Sequence, residues 1–167
     1  MRVDFSVRIY PVIAAGFLAI GCVLHAGDGE PLREPSAVEA FNKLNNIKMM
    51  AQDAAVSLLA GDKSFVLRQS WWGGSIDPGK AKLHPVQLFK RNAYCFLLAV
   101  PDKQAELNLN IYDSEGQLVP TRLTEIGGSN IVTLTMSPSV TGMFFVRVSL
   151  KSNIDVPQDY AVIYAFR

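Results

Sequence analysis

The sequence has few of the side chains on which most catalytic and metal-binding sites depend. It contains two cysteines and two histidines in 167 residues. Cys22 and His25 lie in an apolar N-terminal segment, which leaves Cys95 and His84 for the remainder of the chain. A nucleophilic cysteine requires an activating charge nearby, and a zinc site requires several ligands. We therefore expect neither kind of site, and no disulfide within the mature chain.

The sequence also lacks an excess of charge of either sign. Lysine and arginine total 16, aspartate and glutamate total 15, and the formal net charge is +1. The basic residues form no group larger than the short ones at 80–82 and 90–91. Binding to a nucleic acid or to an anionic membrane surface depends on a concentration of positive charge. These numbers exclude nucleic acid as an expected partner.

No arrangement typical of a catalytic site is present. None of the serines occupies the Gly-x-Ser-x-Gly turn of the α/β-hydrolases. Asp77 and Asp113 are two carboxylates, but nothing in their spacing marks them as the acid and base of a glycosidase. His84 has no second histidine or acidic cluster near it in the sequence. We expect a protein that is not an enzyme and holds no cofactor.

The N-terminal residues have the order of a secretory signal. Arg2 and Arg8 precede an uncharged apolar run over residues 12–24, and Ala26 comes directly before a polar stretch. The apolar run is short for a membrane span and typical of a signal peptide. We expect residues 1–26 to be removed and the mature protein to be extracytoplasmic, whether periplasmic, secreted or on the outer surface.

The alternative interpretations of the same segment are an uncleaved amphiphilic anchor and a lipoprotein signal. The residues Ala19-Ile20-Gly21-Cys22 resemble the short motif that precedes a lipidated cysteine, although Ala19 stands where an aliphatic residue such as leucine is usual. In that case the signal would end at Gly21 and Cys22 would be acylated. The protein would then contact the membrane only through this lipid anchor.

A linker and one amphipathic helix are expected over residues 27–63. Ser36-Ala37-Val38-Glu39 is a capping box, and Gly61 follows an alanine-rich stretch at the position expected just after a helix. We expect this helix, over residues 36–60, to pack on its own domain or to be partly disordered in its first turns, with pairing to a partner helix or a role as a stalk as the alternatives. The apolar residues assigned to one face are Phe41, Leu44, Ile47, Ala51, Ala55, Leu58 and Leu59.

The remaining residues, 64–167, predict an all-β domain. Hydrophobic residues make up 49% of the chain and charged residues 19%, as in a folded globular protein. Short runs with alternating apolar residues are separated by turn signals, a pattern typical of a sandwich or a barrel. We expect an antiparallel β-sandwich of about eight strands, at residues 64–69, 82–89, 94–100, 107–112, 117–121, 131–136, 143–150 and 160–166.

Two of these strands predict where individual side chains point. In the strand at 143–150, alternation places Phe144, Val146 and Val148 inside and Arg147 on the other face. The strand at 94–100 is apolar at nearly every position, as in strands that are covered on both faces. We therefore expect Cys95 to be a buried and unreactive side chain.

Four segments together resemble the bacterial pre-peptidase C-terminal domain. They are WWGGSIDPG at 71–79, YCF at 94–96, LNLNIYDSEG at 107–116 and GMFFVRV at 142–148. The resemblance covers roughly residues 65–166 and its motifs are moderately specific, because similar strands occur in unrelated sandwiches. It implies a jelly-roll-like β-sandwich, exported with or beside secreted hydrolases, that serves as an accessory or binding module.

The resemblance also bears on calcium. Some relatives use carboxylates from the strand before the turn, where this chain has Asn108 and Asn110. Asp113 and Glu115 remain as weak candidate metal ligands, although calcium requires more oxygens than these two supply. An Asx turn at Asp113 is the favoured interpretation, and we expect calcium to contribute little to stability.

Trp71 and Trp72 are the candidate ligand-binding residues. An exposed indole can stack on a sugar ring, but adjacent residues of a strand point to opposite faces, so only one tryptophan could do so. We expect a non-enzymatic module that binds an envelope or secreted protein, with a carbohydrate-binding module for a polysaccharide as the alternative. An exposed tryptophan would favour the sugar, whereas buried tryptophans with an apolar patch elsewhere would favour a protein partner.

Overall fold

The computed structural model describes residues 36–62, 64–128 and 130–167. The expected signal peptide and Cys22 lie outside these residues. The described residues form one helix and nine strands: α1 (Ala37–Leu59), β1 (Val66–Leu67), β2 (Trp72–Ile76), β3 (Ala81–Leu88), β4 (Tyr94–Ala99), β5 (Glu106–Tyr112), β6 (Arg122–Ile126), β7 (Ile131–Met136), β8 (Gly142–Lys151) and β9 (Gln158–Phe166).

The strands form two antiparallel sheets, which confirms the expected sandwich. The larger sheet has the order β1-β9-β4-β7-β6, with β2 also paired to β9, and the smaller sheet has the order β3-β8-β5. From β2 onward the chain crosses repeatedly between the sheets, so that sequence neighbours such as β4 and β5 lie in different layers. This alternation gives the fold its jelly-roll-like character.

The sandwich core lies between the two sheets and is built by period-two alternation. In β8 the residues Phe144, Val146 and Val148 are buried in the core, while Arg147 lies on the outer face of the smaller sheet, as the sequence predicts. In β5 the buried residues Leu107, Leu109 and Ile111 alternate with partly exposed ones, including both asparagines. Each sheet therefore turns one continuous apolar face toward the other.

The helix covers the outer face of the larger sheet. Ser36 caps it, since the Ser36 hydroxyl accepts from the Glu39 N–H and the Glu39 carboxylate accepts from the Ser36 N–H. Its buried residues Ile47, Ala51 and Ala55 pack in a second apolar cluster with side chains of β4 and β9. The expected packing of the helix on its own domain is thus confirmed. No helix of the described residues is both long and apolar enough to cross a membrane.

Strand β4 lies between the helix and the sandwich core, so all six of its residues are buried. Cys95 is on the helix side, where it is fully buried and its Sγ lies 3.3 Å from the Thr133 hydroxyl oxygen. Burial raises the pKa of the Cys95 thiol, which keeps it protonated and unreactive. The expected role of Cys95 as a buried apolar side chain is confirmed.

Two strand predictions were wrong. Residues 117–121 form only an isolated bridge between Leu118 and Tyr112, and the next strand of the chain is β6 in the larger sheet. Pairing of this segment with β5 stops at Val119, whose N–H donates to the Ile111 carbonyl, and the chain then leaves β5. Conversely, Gly73 and Gly74 lie outside the expected strands but belong to β2, where both are paired to β9.

The predicted helix face was also only partly right. Phe41 and Leu58 were assigned to the packed face, but both are exposed. Apolar residues occur on more than one side of α1, so periodicity alone does not identify which side meets the sheet. The small side chains Ala51 and Ala55 allow close approach of the helix, and the contact is centred on them.

Candidate functional site

The outer face of the smaller sheet is an apolar surface. The register of β3, β8 and β5 places Leu83, Arg147 and Asn110 side by side across the sheet. The next outward-facing row along the strands contains Pro85, Phe145 and Tyr112. No described element covers this face, in contrast to the outer face of the larger sheet. Leu83 is 59% exposed, and Met143, in the following row, is 44% exposed. Such a group of exposed apolar side chains on one sheet face is typical of an interaction surface.

A shallow groove of about 300 Å³ runs across this face and holds one positive charge. Its walls are formed by Leu83, Tyr112, Gly116, Phe145 and Arg147. The Arg147 guanidinium donates to the Ser149 hydroxyl at 2.9 Å and forms no ion pair with any described residue. Most of its fixed fork of N–H donors is therefore free to bind a carboxylate.

Trp72 points into the sandwich at the edge where β2 and β3 approach each other. Its ring stacks on His84 with a centroid distance of 5.4 Å and on Tyr164 with a centroid distance of 5.6 Å. The side chain is half-buried and packs against the main core. The indole is thus stacked on two other rings and half-buried, unlike the open aromatic platform of a sugar site.

Trp71 points to the opposite side of the sheet, as alternation predicts. It packs against the helix-side apolar cluster, and the Lys48 ammonium lies 5.5 Å from the ring centroid. The ring also closely approaches Gly73, because a Cβ placed on that glycine would lie 2.4 Å from a ring carbon of Trp71. Trp71 is thus half-buried and held from two sides, and the structure does not bring the two tryptophans together into one surface.

His84 has aromatic and hydrogen-bonding neighbours that the sequence did not indicate. Its Nε2 lies 2.9 Å from the Tyr160 hydroxyl oxygen while its ring stacks on Trp72. Burial lowers the pKa of His84, and the nearby Lys82 ammonium lowers it further. The side chain therefore favours the neutral form and acts as a polar link between β3 of the smaller sheet and β9 of the larger one.

We expect the stability of the domain to fall as the pH drops through this histidine's titration. Above an unfolded-state pKa of about 6.5 the histidine is neutral in both states. Below that pH the unfolded chain binds the proton more readily than the folded one, so the free energy of unfolding decreases down to the lowered folded-state pKa. Thermal unfolding at pH 7.5 and pH 5.5 should show a larger loss for the wild type than for His84→Gln. An equal loss in both proteins would contradict this role for His84.

A separate pocket, lined by tyrosine and arginine side chains among others, is too small for a typical organic ligand. Its volume is about 90 Å³, and Arg68, Gln87, Tyr94, Tyr164 and Phe166 contribute to its lining. Small-molecule sites usually enclose about 300–1,000 Å³. This pocket can hold a few waters, and the Tyr94 hydroxyl, which accepts from the Phe89 N–H, is part of its wall.

The turn after β5 has the geometry of an Asx turn. Asp113 Oδ1 accepts from the Glu115 N–H at 2.9 Å and from the Gln117 N–H at 2.8 Å. Gly116 has a φ of 77°, a left-handed conformation that glycine adopts without steric cost. Glu115 contributes its backbone N–H to this turn, and its side chain is exposed. Among the described residues, no three histidine, cysteine or acidic side chains are grouped as metal ligands.

The positions that form the sheet face could have been found from the sequence. Leu83, Pro85 and Gln87 alternate with the buried residues of β3, and Met143, Phe145 and Arg147 do the same in β8. Apolar residues at the outward-facing positions of both strands were the feature of the sequence that could have identified this surface. The sequence matches no protein-family model and no curated protein. The resemblance to the pre-peptidase C-terminal domain therefore rests only on the four sequence segments given above.

Proposed function

We propose that the protein is a non-enzymatic binding module of the cell envelope or exterior, which docks onto an envelope or secreted protein. The docking surface is the outer face of the smaller sheet. The observation that carries the proposal is the exposed apolar side chains of Leu83 and Met143 on a sheet face that no described element covers. The order of charge and hydropathy in residues 1–26 and the resemblance to the pre-peptidase C-terminal domain support the location and the accessory role.

The chemistry of the groove defines the kind of partner segment. Its walls are aromatic and aliphatic, and its one charge, Arg147, has no acidic partner among the described residues. A segment that places an aspartate or glutamate beside a bulky apolar side chain would satisfy both features. The carboxylate would accept two N–H bonds from the guanidinium, and the apolar side chain would lie between Leu83 and Phe145.

The two tryptophans favour a protein over a polysaccharide. Trp72 stacks on two other rings, and Trp71 packs on the helix side with the Lys48 ammonium near its ring. Carbohydrate modules bind sugars on open aromatic faces, whereas both indoles here are partly buried and contact other side chains. The apolar surface instead lies elsewhere, on β3 and β8, which is the combination expected for a protein partner.

Site-specific photo-cross-linking in the cells that produce the protein tests this function. A photoreactive phenylalanine analogue replaces Leu83 or Met143 on the proposed face, and Glu125 on the exposed strand β6 as the matched control. We expect a protein adduct from the two face positions, identifiable by mass spectrometry, and none from the control. Adding Arg147→Glu should abolish the adduct at Met143, whereas Arg122→Glu should leave it unchanged. Equal adducts at Glu125, or adducts that contain only glycan, would refute the proposal.

A further inference from the structure

The helix carries a second apolar stripe that the domain does not bury. Its apolar members are Val38, Phe41, Met49 and Val56, whose exposed fractions are 68%, 63%, 52% and 66%. At 3.6 residues per turn, these positions fall within about a quarter of the helix circumference and extend over about 27 Å of its axis. The face that packs on the sheet, centred on Ala51, is turned well away from them.

The residues of this stripe are spaced as in a seam, the line of contact between two paired helices. Positions 38, 41 and 45 of the stripe are followed eleven residues later by positions 49, 52 and 56, and Asn45 and Gln52 are the two polar residues among these six. An eleven-residue period keeps a seam on one side of a nearly straight helix, as in paired helices of this repeat. The surface is long, narrow and straight, so its natural complement is another helix of similar length.

We propose that α1 pairs with α1 of a second copy of this chain, in parallel orientation across a two-fold axis. In a parallel pair, each stripe residue faces its own counterpart. Asn45 would then face the second Asn45, and the two amides could bond to each other inside the seam. In an antiparallel pair centred on the stripe, Asn45 would face Met49 instead, and no such amide pair would form.

The charges beside the stripe also favour the parallel pair of identical chains. Lys48 lies on one flank of the seam and Asp53 on the other, five residues further along. This is the separation at which flanking residues of two parallel helices form an ion pair across the seam. Neither residue forms an ion pair with another described residue of its own chain, and Trp71 holds the Lys48 ammonium at this flank.

Sedimentation velocity on the full chain over a range of concentrations tests the pairing. We expect a reversible monomer–dimer equilibrium that Phe41→Glu with Met49→Glu converts to monomer. Both residues are exposed, so the domain should stay folded, as thermal unfolding can verify. Leu83→Glu is the matched control on the sheet face and should leave the equilibrium unchanged. A wild type that is monomeric throughout, or a dimer that the helix variants do not affect, would overturn the proposal.

Two further variants test the orientation. Lys48→Glu and Asp53→Lys should each weaken the dimer several-fold, and their combination should restore it. In a Cys22→Ser background, Asn45→Cys should form an intermolecular disulfide with itself on oxidation. A disulfide that forms only when Val38→Cys and Val56→Cys proteins are mixed would show an antiparallel pair and overturn the parallel one.

Discussion

Replacing Phe144 by alanine should reduce the free energy of unfolding by about 3–5 kcal/mol, the usual cost of removing a buried phenylalanine ring. Phe144 is 4% exposed and packs in the main core between the two sheets. The total stability of a domain of this size is about 5–15 kcal/mol, so this single change should remove a large share of it. Urea unfolding monitored by circular dichroism measures the difference.

Met143→Ala is the matched control for this prediction, since it changes the next residue of the same strand. Met143 points outward and is 44% exposed, so its truncation should change the free energy of unfolding by less than about 0.5 kcal/mol. If Phe144→Ala and Met143→Ala were equally mild, the assignment of inward and outward positions in β8 would be wrong. The comparison therefore tests the orientation of the proposed docking face as well as the core.

The sequence predicted most strands because alternation is a local property. The pattern of β5 and β8 identifies the buried parity of each strand before any neighbour is known, and Phe144 and Arg147 lie where that pattern places them. The capping box at Ser36 likewise fixes the start of α1 from four residues. These features depend on backbone hydrogen bonding and side-chain parity alone.

The errors arise where long-range pairing decides the local structure. Gly73 and Gly74 disfavour a strand by propensity, but β9 pairs with both, and Tyr160 packs within 4 Å of a Cβ position at Gly74. The apolar residue Leu118 satisfies a strand pattern but has only a single bridge to Tyr112. Sequence separations of nearly ninety residues join β2 to β9, and no local pattern reports them.

The contacts within the candidate site and around His84 were less predictable than the fold for the same reason, although the outward positions of each strand follow from alternation. Leu83 and Arg147 are remote in sequence and become neighbours only through the β3–β8 register. His84 gains its contacts from Trp72 and Tyr160, which lie on two other strands. Each residue was visible as a residue type, but its charge environment and exposure depend on the assembled sheets.

The proposed docking face and the proposed helix seam lie on opposite sides of the sandwich. The seam is on α1, which covers the larger sheet, and the docking face is the outer side of the smaller sheet. A dimer formed through α1 would therefore leave both docking faces open. Two linked sites can bind a partner that repeats along a surface more tightly than either site alone.

Trp72→Ala should be the second strongly destabilising change, with a loss of about 2–4 kcal/mol. Trp72 is half-buried, so the loss should lie toward or below the value of about 3–5 kcal/mol for a fully buried ring. Removing the indole also takes a stacking partner from both His84 and Tyr164. Because the burial that lowers the pKa of His84 would decrease, that pKa should rise toward its ordinary value. Urea unfolding and an NMR titration of the imidazole measure the two effects.

Trp71→Ala is the matched comparison, because it removes the same side chain from the opposite face of the same sheet. Trp71 contacts the helix-side cluster and Lys48 and not the sandwich core, so its removal should cost less and leave the pKa of His84 unchanged. Its effect should instead appear as faster hydrogen exchange in α1, whose packing it supports. Equal losses and equal shifts in the two variants would show that the tryptophans share one environment. If Trp71→Ala kept the fold and abolished binding to an envelope polysaccharide, the carbohydrate function would replace the protein-binding one.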